Sequence, residues 1–208
     1  MIRRFCLLLS LAVTPFAAGC LVATTTHRLY LSPQGALTWS VLEQDVRSTE
    51  SRPSDRAAEE NALLDGVASQ THPTLDALRR LQPYDTSLRL LRADRPYTVL
   101  TEARFERVDA VVENLLSELR IPGKVTLQRT GDEWSLGISI DLTAMEGDEQ
   151  ATPLAALIEE LDCYRLVLTD GRFTAAIGFA IVDGGTAVEL KPEAVPTDRP
   201  ARLQLSWK

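Results

Sequence analysis

Residues 125–142, VTLQRTGDEWSLGISIDL, form the most regular stretch of this 208-residue chain. In its second half every other side chain is apolar, namely Trp134, Leu136, Ile138, Ile140 and Leu142. Strict alternation over such a length indicates a β-strand with one buried face and one solvated face. Because residues 130–132, Thr-Gly-Asp, supply a turn before this strand, we predict an antiparallel hairpin.

The segment before this hairpin predicts the longest amphipathic helix of the chain, over residues 102–120. Its apolar side chains recur at spacings of three and four: Phe105, Val108, Val111, Val112, Leu115, Leu116 and Leu119. That spacing is typical of a helix with one buried stripe. Since only residues 121–124 separate the helix from the hairpin, we expect Val108, Val112, Leu115 and Leu119 to pack on the hairpin face that carries Trp134 to Ile140, with Leu115 central in this contact.

Further strands and helices are predicted on the N-terminal side. Apolar residues alternate on both sides of the turn Ser32–Gly35, which predicts a hairpin over residues 27–47. A helix that begins at Ser54 or Asp55 and a shorter helix that begins at Pro73 follow it. Residues 86–92 and 96–101 have the character of two more strands.

The C-terminal side predicts a meander over residues 163–190, with a short helix before it that begins at Thr152. Phe173–Val182 is apolar on both faces, so we expect this strand to be central. A last strand carries apolar residues at 203, 205 and 207. These elements predict an α+β fold, in which an antiparallel sheet built from hairpins and a meander has about four helices packed on one side.

The first twenty residues, MIRRFCLLLSLAVTPFAAGC, have the layout of an export signal. A pair of arginines precedes an apolar run, and three small residues then lead into Cys20. A cysteine at this place resembles the lipobox of bacterial lipoproteins, although Ala17 stands where leucine is most common. The resemblance implies cleavage before Cys20, attachment of fatty acids such as palmitate to its thiol, and acylation of the new amino terminus.

Two other interpretations of this signal stay open. An ordinary signal peptidase rule, met by Ala17 and Gly19, would cut the same bond and leave Cys20 unmodified. Alternatively, residues 5–22 could remain as an uncut anchor, close to the minimum of ~20 apolar residues. The lipobox is preferred because neither alternative requires a cysteine there. The predicted division is a signal peptide at 1–19, a short acylated tether at 20–27 and a single α+β domain at 28–208.

The lipobox also implies a location. The acyl chains would hold the protein in the cell membrane or the outer membrane, with the domain facing the periplasm or the cell exterior. Leu21 follows the cysteine, where an aspartate would favour inner-membrane retention, so a Gram-negative source would favour the outer membrane. Loss of two arginines with the signal takes the formal charge from −7 to −9. Such an acidic domain is a poor partner for nucleic acid or for an anionic bilayer surface.

No familiar catalytic or metal-binding motif occurs in the sequence. His27 and His72 are isolated, and Cys163 has no histidine nearby, so it resembles a small buried hydrophobe. The acidic loop 146–149 lacks the alternating ligand spacing of an EF-hand. Residues 159–162 hold three carboxylates, a weak signal for a glycosidase pair. We therefore predict no catalytic residue, no metal and no cofactor, and lipidation of Cys20 as the one modified site.

Three classes of function are compatible with these observations. The leading hypothesis is a non-enzymatic, membrane-tethered envelope lipoprotein that acts by binding or assembly, for example with another envelope protein. A carrier of lipid or another apolar ligand in the periplasm is the second, and it requires an apolar cavity. A carboxylate-dependent hydrolase is the third, and it requires two acidic groups that converge in a cleft.

Overall fold

The structure, a computed structural model, describes residues 21–144, 164–195 and 199–208. In these ranges the chain forms eleven strands and three α-helices. The strands are β1 (Leu21–Leu31), β2 (Leu37–Ser48), β3 (Asp85–Arg92), β4 (Tyr97–Phe105), β5 (Gly123–Thr130), β6 (Glu133–Ile140), β7 (Tyr164–Leu168), β8 (Phe173–Ile177), β9 (Phe179–Val182), β10 (Ala187–Leu190) and β11 (Ala201–Trp207). The helices are α1 (Pro53–Ala68), α2 (Pro73–Arg80) and α3 (Val108–Glu118). The class is α+β, as predicted.

The strands belong to two sheets. The larger sheet has seven strands in the order β3-β4-β2-β1-β7-β10-β9, and β1 and β7 pair in parallel within it. The smaller sheet has four antiparallel strands in the order β5-β6-β11-β8. Side chains from both sheets form one core, including Leu31 and Trp39 from the larger and Leu205 and Trp207 from the smaller. We call this cluster the main core.

The prediction of one antiparallel sheet with about four helices on one side is therefore wrong. The apolar faces of two sheets meet each other, so strands provide much of the cover that we had expected from helices. The described residues contain three α-helices. The helix predicted to begin at Thr152 lies outside the described residues.

Gly178 explains why the C-terminal strands are not a simple meander. It divides the predicted central strand into β8, at the edge of the smaller sheet, and β9, at the edge of the larger sheet. Its φ is +80°, and a Cβ at this position would lie 2.3 Å from Cδ2 of Leu203. Glycine is thus required where the chain changes sheets. The segment is apolar on both sides because it serves two sheets, and neither part of it is central.

The helix predicted over 102–120 begins later than expected. Residues 102–105 continue β4, which pairs with β2 on one side and β3 on the other. Ala103 and Phe105 are 0% and 3% exposed on the core face of this strand. As strand residues, 102–105 pair their backbone on both sides and bury Ala103 and Phe105, which accounts for the late start of α3.

Helix α3 packs on the hairpin as expected, and it does so mainly through β5. The buried line on the helix is rotated from the one that we predicted. Val108, Val111 and Leu116 are its most buried side chains, whereas Leu115 and Leu119 are only partly buried. The prediction that Leu115 lies at the centre of this contact is therefore wrong, and Leu116 is the buried leucine of α3.

A second, smaller cluster lies on the same face of the larger sheet, beneath α1 and α2. We call it the small core, and it consists of Val46, Leu63, Val67, Leu75, Leu88 and Val99. The strands β2, β3 and β4 contribute one half of the cluster, and the two helices contribute the other. The larger sheet thus carries two separate cores along its length.

Candidate functional site

Most residues singled out in the sequence lie outside the described residues. This applies to Cys20, to Cys163, to the acidic loop 146–149 and to the carboxylates of 159–162. The described residues contain no group of three or more histidine, cysteine or acidic side chains that could hold a metal ion. Within the same ranges no helix has the length and apolar character needed to cross a membrane.

The chain enters the larger sheet directly after Cys20. Strand β1 begins at Leu21, whose Cα partner is Ser48 at the end of β2. Residues 21–27, which the sequence assigned to a tether, are thus the first part of β1. Because consecutive Cα atoms are about 3.8 Å apart, a group attached to Cys20 is held close to this end of the sheet.

We call this end of the larger sheet the proximal end, and it comprises residues 21–22, 47–52 and 91–96. The loop between β3 and β4 belongs to it because Tyr97 is the Cα partner of Val46. Leu21 and Leu91 are 39% and 54% exposed there. The side chain of Arg92 is also exposed at this end.

The arginines of the proximal end fall into two groups. Arg52 pairs with Asp55 at 2.7 Å, and Arg95 pairs with the buried Glu60 at 3.0 Å. Arg47 and Arg92 are exposed and form no ion pair within the described part of the chain. Two cations at this end are therefore free to meet an external anion.

Buried and half-buried polar side chains cross the inner face of the larger sheet between the two cores. We call them the polar belt: His27, Glu43, His72, Thr74 and Thr101. Val41, beside Glu43 on the same face of β2, has His27 and Thr101 as its Cα partners in β1 and β4. Helix α2 and the residue before it add Thr74 and His72.

Glu43 is the chemically distinctive member of the belt. Oγ1 of Thr74 donates a hydrogen bond to its Oε2 at 3.4 Å, and Nδ1 of His72 lies 3.8 Å from the same oxygen. Burial raises the pKa of Glu43 to about 7, against the smaller opposite effect of the Thr74 hydrogen bond. This carboxyl group can therefore take up or release a proton near neutral pH.

His72 does not become the cationic partner of that carboxyl group. Burial lowers its pKa, and the nearby charge of Asp76 only partly opposes this effect. Burial thus favours the neutral form of both Glu43 and His72, so their contact is not an ordinary salt bridge. His72 occupies the N-cap position of α2 but makes no side-chain capping hydrogen bond.

His27 has a structural role in the belt. Its Nδ1 accepts a hydrogen bond from Nε1 of Trp39 at 3.1 Å, and the two rings meet edge to face at 6.1 Å. Burial lowers the pKa of His27 to about 4, so the imidazole is neutral at physiological pH. This neutral ring positions Trp39, which is 5% exposed in the main core.

The belt supplies one carboxyl group, whereas the hydrolase hypothesis requires two that converge in a cleft. Sequence reasoning missed the belt because His72 and Glu43 belong to different elements and meet only in the folded chain. One signal was visible. Glu43 continues the alternation of Leu37, Trp39 and Val41, so the sequence places a carboxylate on the face of the strand that is predicted to be buried.

Comparisons with known proteins place the chain in no family. No family model matches the sequence, and no curated protein matches it. Among solved structures, an NMR structure of the folded domain of the LppM protein from Mycobacterium tuberculosis is similar over 95% of each chain. The two share 9% sequence identity with a TM-score of 0.39, values that carry no argument about function.

Proposed function

We propose that this protein is a bacterial envelope lipoprotein, acylated on Cys20, whose domain begins at the membrane and acts by binding or assembly. The observation that carries the proposal is the start of β1 at Leu21. The lipobox resemblance puts the lipid on Cys20, and the sheet begins one residue later. The anchor and the fold are therefore continuous, without a spacer.

The start of β1 also weighs against the uncut signal anchor. A spanning helix over residues 5–22 would need Leu21 and Val22, but both belong to β1 and pair with β2. Residues 5–20 alone fall short of the roughly 17–25 apolar residues that a spanning helix needs. The start of β1 thus supports cleavage before Cys20.

The packing of the main core gives little support to an apolar carrier. Trp207 is 0% exposed, its ring stacks on Trp134 at 6.5 Å, and Phe173 meets it edge to face at 6.5 Å. Nε1 of Trp207 donates a hydrogen bond to the carbonyl oxygen of Pro33 at 3.1 Å, which ties the smaller sheet to the β1–β2 turn. Among the described residues, these side chains fill this part of the space between the sheets, where a bound lipid would have to lie.

The proposal is tested by expressing the full chain in a bacterium that is fed an alkyne analogue of palmitate. We expect the wild-type protein to be labelled, to fractionate with membranes and to show acylated Cys20 as its first residue by mass spectrometry. The Cys20→Ser variant should lose the label. Cys163→Ser, which removes the other cysteine of the mature chain, is the matched control and should keep it.

Label retained by Cys20→Ser would contradict the proposal, and so would a wild-type protein that is soluble with an unmodified Cys20. In a Gram-negative host we expect recovery with the outer membrane and a domain that faces the periplasm. Recovery with the inner membrane would correct the location and leave the acylation intact.

A further inference from the structure

We infer that the proximal end of the larger sheet docks on the surface of an anionic lipid bilayer, with Leu91 in the headgroup region and Arg47 and Arg92 on lipid phosphates. The inference rests on the acylation of Cys20 proposed above. It goes beyond that proposal, because an acylated protein can also extend away from its membrane on a spacer without any contact between domain and lipid.

Chain geometry brings the proximal end to the lipid. Leu21 is one residue from the acylated position, and it is already paired with Ser48. A strand rises about 3.3 Å per residue, so the first two residue pairs of β1 and β2 lie within roughly 10 Å of the anchored residue. At this distance the end of the sheet lies next to the bilayer. A flexible spacer would instead allow a thick layer of water between the domain and the lipid.

The surface at this level presents two large apolar side chains to solvent. Leu91 is 54% exposed, although it is a large apolar residue, and Leu21 is 39% exposed. They lie on strands three places apart, hence roughly 14 Å from each other at ~4.8 Å per strand. Two separated apolar contacts at one end can hold the sheet upright on the bilayer.

The free arginines lie at the same end. Arg47, on β2, is the Cα partner of Val22, and Arg92, at the end of β3, is the Cα partner of Thr98. Neither forms an ion pair within the described residues. A guanidinium group can donate two parallel hydrogen bonds to a phosphate, and juxtamembrane arginines are attracted to anionic lipid surfaces.

The net charge of the domain restricts contact to this end. The chain without its signal carries a formal charge of −9, so an anionic surface repels most of the molecule. Salt screens this repulsion beyond about 8–10 Å. Within that distance the proximal end carries Arg47, Arg52, Arg92 and Arg95 against Glu50 and Asp94. This end is therefore the part of the domain that anionic lipid repels least.

The test uses the acylated full chain in vesicles of equal parts phosphatidylglycerol and phosphatidylcholine that contain a nitroxide-labelled lipid as quencher. In a Cys163→Ser background, Leu91→Cys carries a bimane fluorophore. Tyr84→Cys is the matched control, since Tyr84 is 62% exposed and precedes β3 at the opposite end of the same strand. We expect lipid quenching several-fold stronger at position 91 than at position 84.

A charge variant tests the role of the arginines. Arg47→Gln combined with Arg92→Gln should reduce quenching at position 91 in the anionic vesicles and leave it unchanged in phosphatidylcholine alone. Arg104→Gln, at the distant end of β4, should have no effect in either. An equal loss in both kinds of vesicle would overturn the assignment of lipid phosphates to these arginines.

The outcomes separate this inference from the proposed function. A chain that carries no acyl group and does not float with the vesicles overturns both. A chain that is acylated and floats, but is quenched equally at positions 91 and 84, retains the proposed function and overturns the docking of the proximal end.

Discussion

The main core and the small core lie on the same face of one sheet, but they are closed by different kinds of structure. A second sheet closes most of the main core, with α3 and Leu78 of α2 at its margin. Strand β11 of that sheet is hydrogen-bonded on both sides, by β6 and β8. Two helices close the small core, and the shorter one, α2, has eight residues. Helices below roughly 12–15 residues are marginal alone, so α2 depends on the burial of Leu75 and Leu78.

This difference suggests how each core responds when a side chain is removed. The backbone around the main core is fixed by pairing on two sheets, so a cavity there cannot easily collapse. A short helix can move toward the sheet and fill part of the lost volume. Because the cost of a large-to-small change grows with the residual cavity, equal burial should not give equal loss of stability.

Leu205→Ala and Leu75→Ala test this difference with residues of matched burial, 1% and 0% exposed. We expect Leu205→Ala to lower the free energy of unfolding by ~4–5 kcal/mol and Leu75→Ala by ~2–3 kcal/mol. Urea unfolding of the chain without its signal, with Cys20→Ser, would measure both. Equal losses would mean that α2 is held as firmly as a paired strand.

A second prediction concerns the boundary between the cores. The pKa of Glu43 is raised by burial from 4.5 to about 7, so between these pH values the folded state keeps a proton that the unfolded chain has lost. Stability contributed by this group therefore falls as pH rises through that window, by on the order of 3 kcal/mol in total. The glutamine in Glu43→Gln cannot ionise. The free energy of unfolding of this variant, relative to that of the wild type, should therefore increase from pH 5 to pH 8.

The histidines oppose this trend. Burial lowers the pKa of His27 and His72, so the stability that these neutral rings contribute is lost as the pH falls below 6.5. For His27 this loss continues down to about pH 4. Both histidines remain in Glu43→Gln, and the difference between the two proteins isolates the carboxyl group. Glu113 is exposed, and Glu113→Gln is the control. Its free energy of unfolding should depend on pH in the same way as that of the wild type. A parallel curve for Glu43→Gln would show that Glu43 is ionised throughout.

The comparison also shows which features of the fold were predictable. The hairpins β1–β2 and β5–β6 were found because alternation and a tight turn are local properties of the sequence. The change of sheet at Gly178 was not, since it depends on the contact with Leu203 in another strand. Nor was the parallel pairing of β1 with β7, which joins residues as far apart as Leu31 and Thr169.

The same distinction applies to the candidate site. The signal before Cys20 could be recognised because its features are contiguous, and its acylation stays a prediction. Residues 21–27 form a strand because they pair with β2. A short stretch of sequence does not include both partners, so this strand could not be predicted locally. To predict the polar belt, two features had to be recognised. One is a carboxylate on the apolar face of a strand, and the other is a histidine that a separate helix brings to it. Only the first of these was present in the local pattern.

The smallest predicted effect lies at Thr101, where the two cores meet. Its Cα partners are Val41 of the main core and Leu88 of the small core, and it is 0% exposed. Its Oγ1 has no hydrogen-bond partner within the described residues. A hydroxyl group that is buried without a partner loses its hydration and gains nothing in return.

Thr101→Val keeps the branched shape that suits a strand and removes this hydroxyl group. We expect it to raise the free energy of unfolding by ~1 kcal/mol, seen as a higher urea midpoint. Thr98→Val, on the opposite and partly exposed face of β4, should change the midpoint little. If Thr101→Val instead destabilises the protein, the hydroxyl group has a partner in solution. The polar belt would then join the two cores by hydrogen bonding, and their separation would be less complete than their side chains indicate.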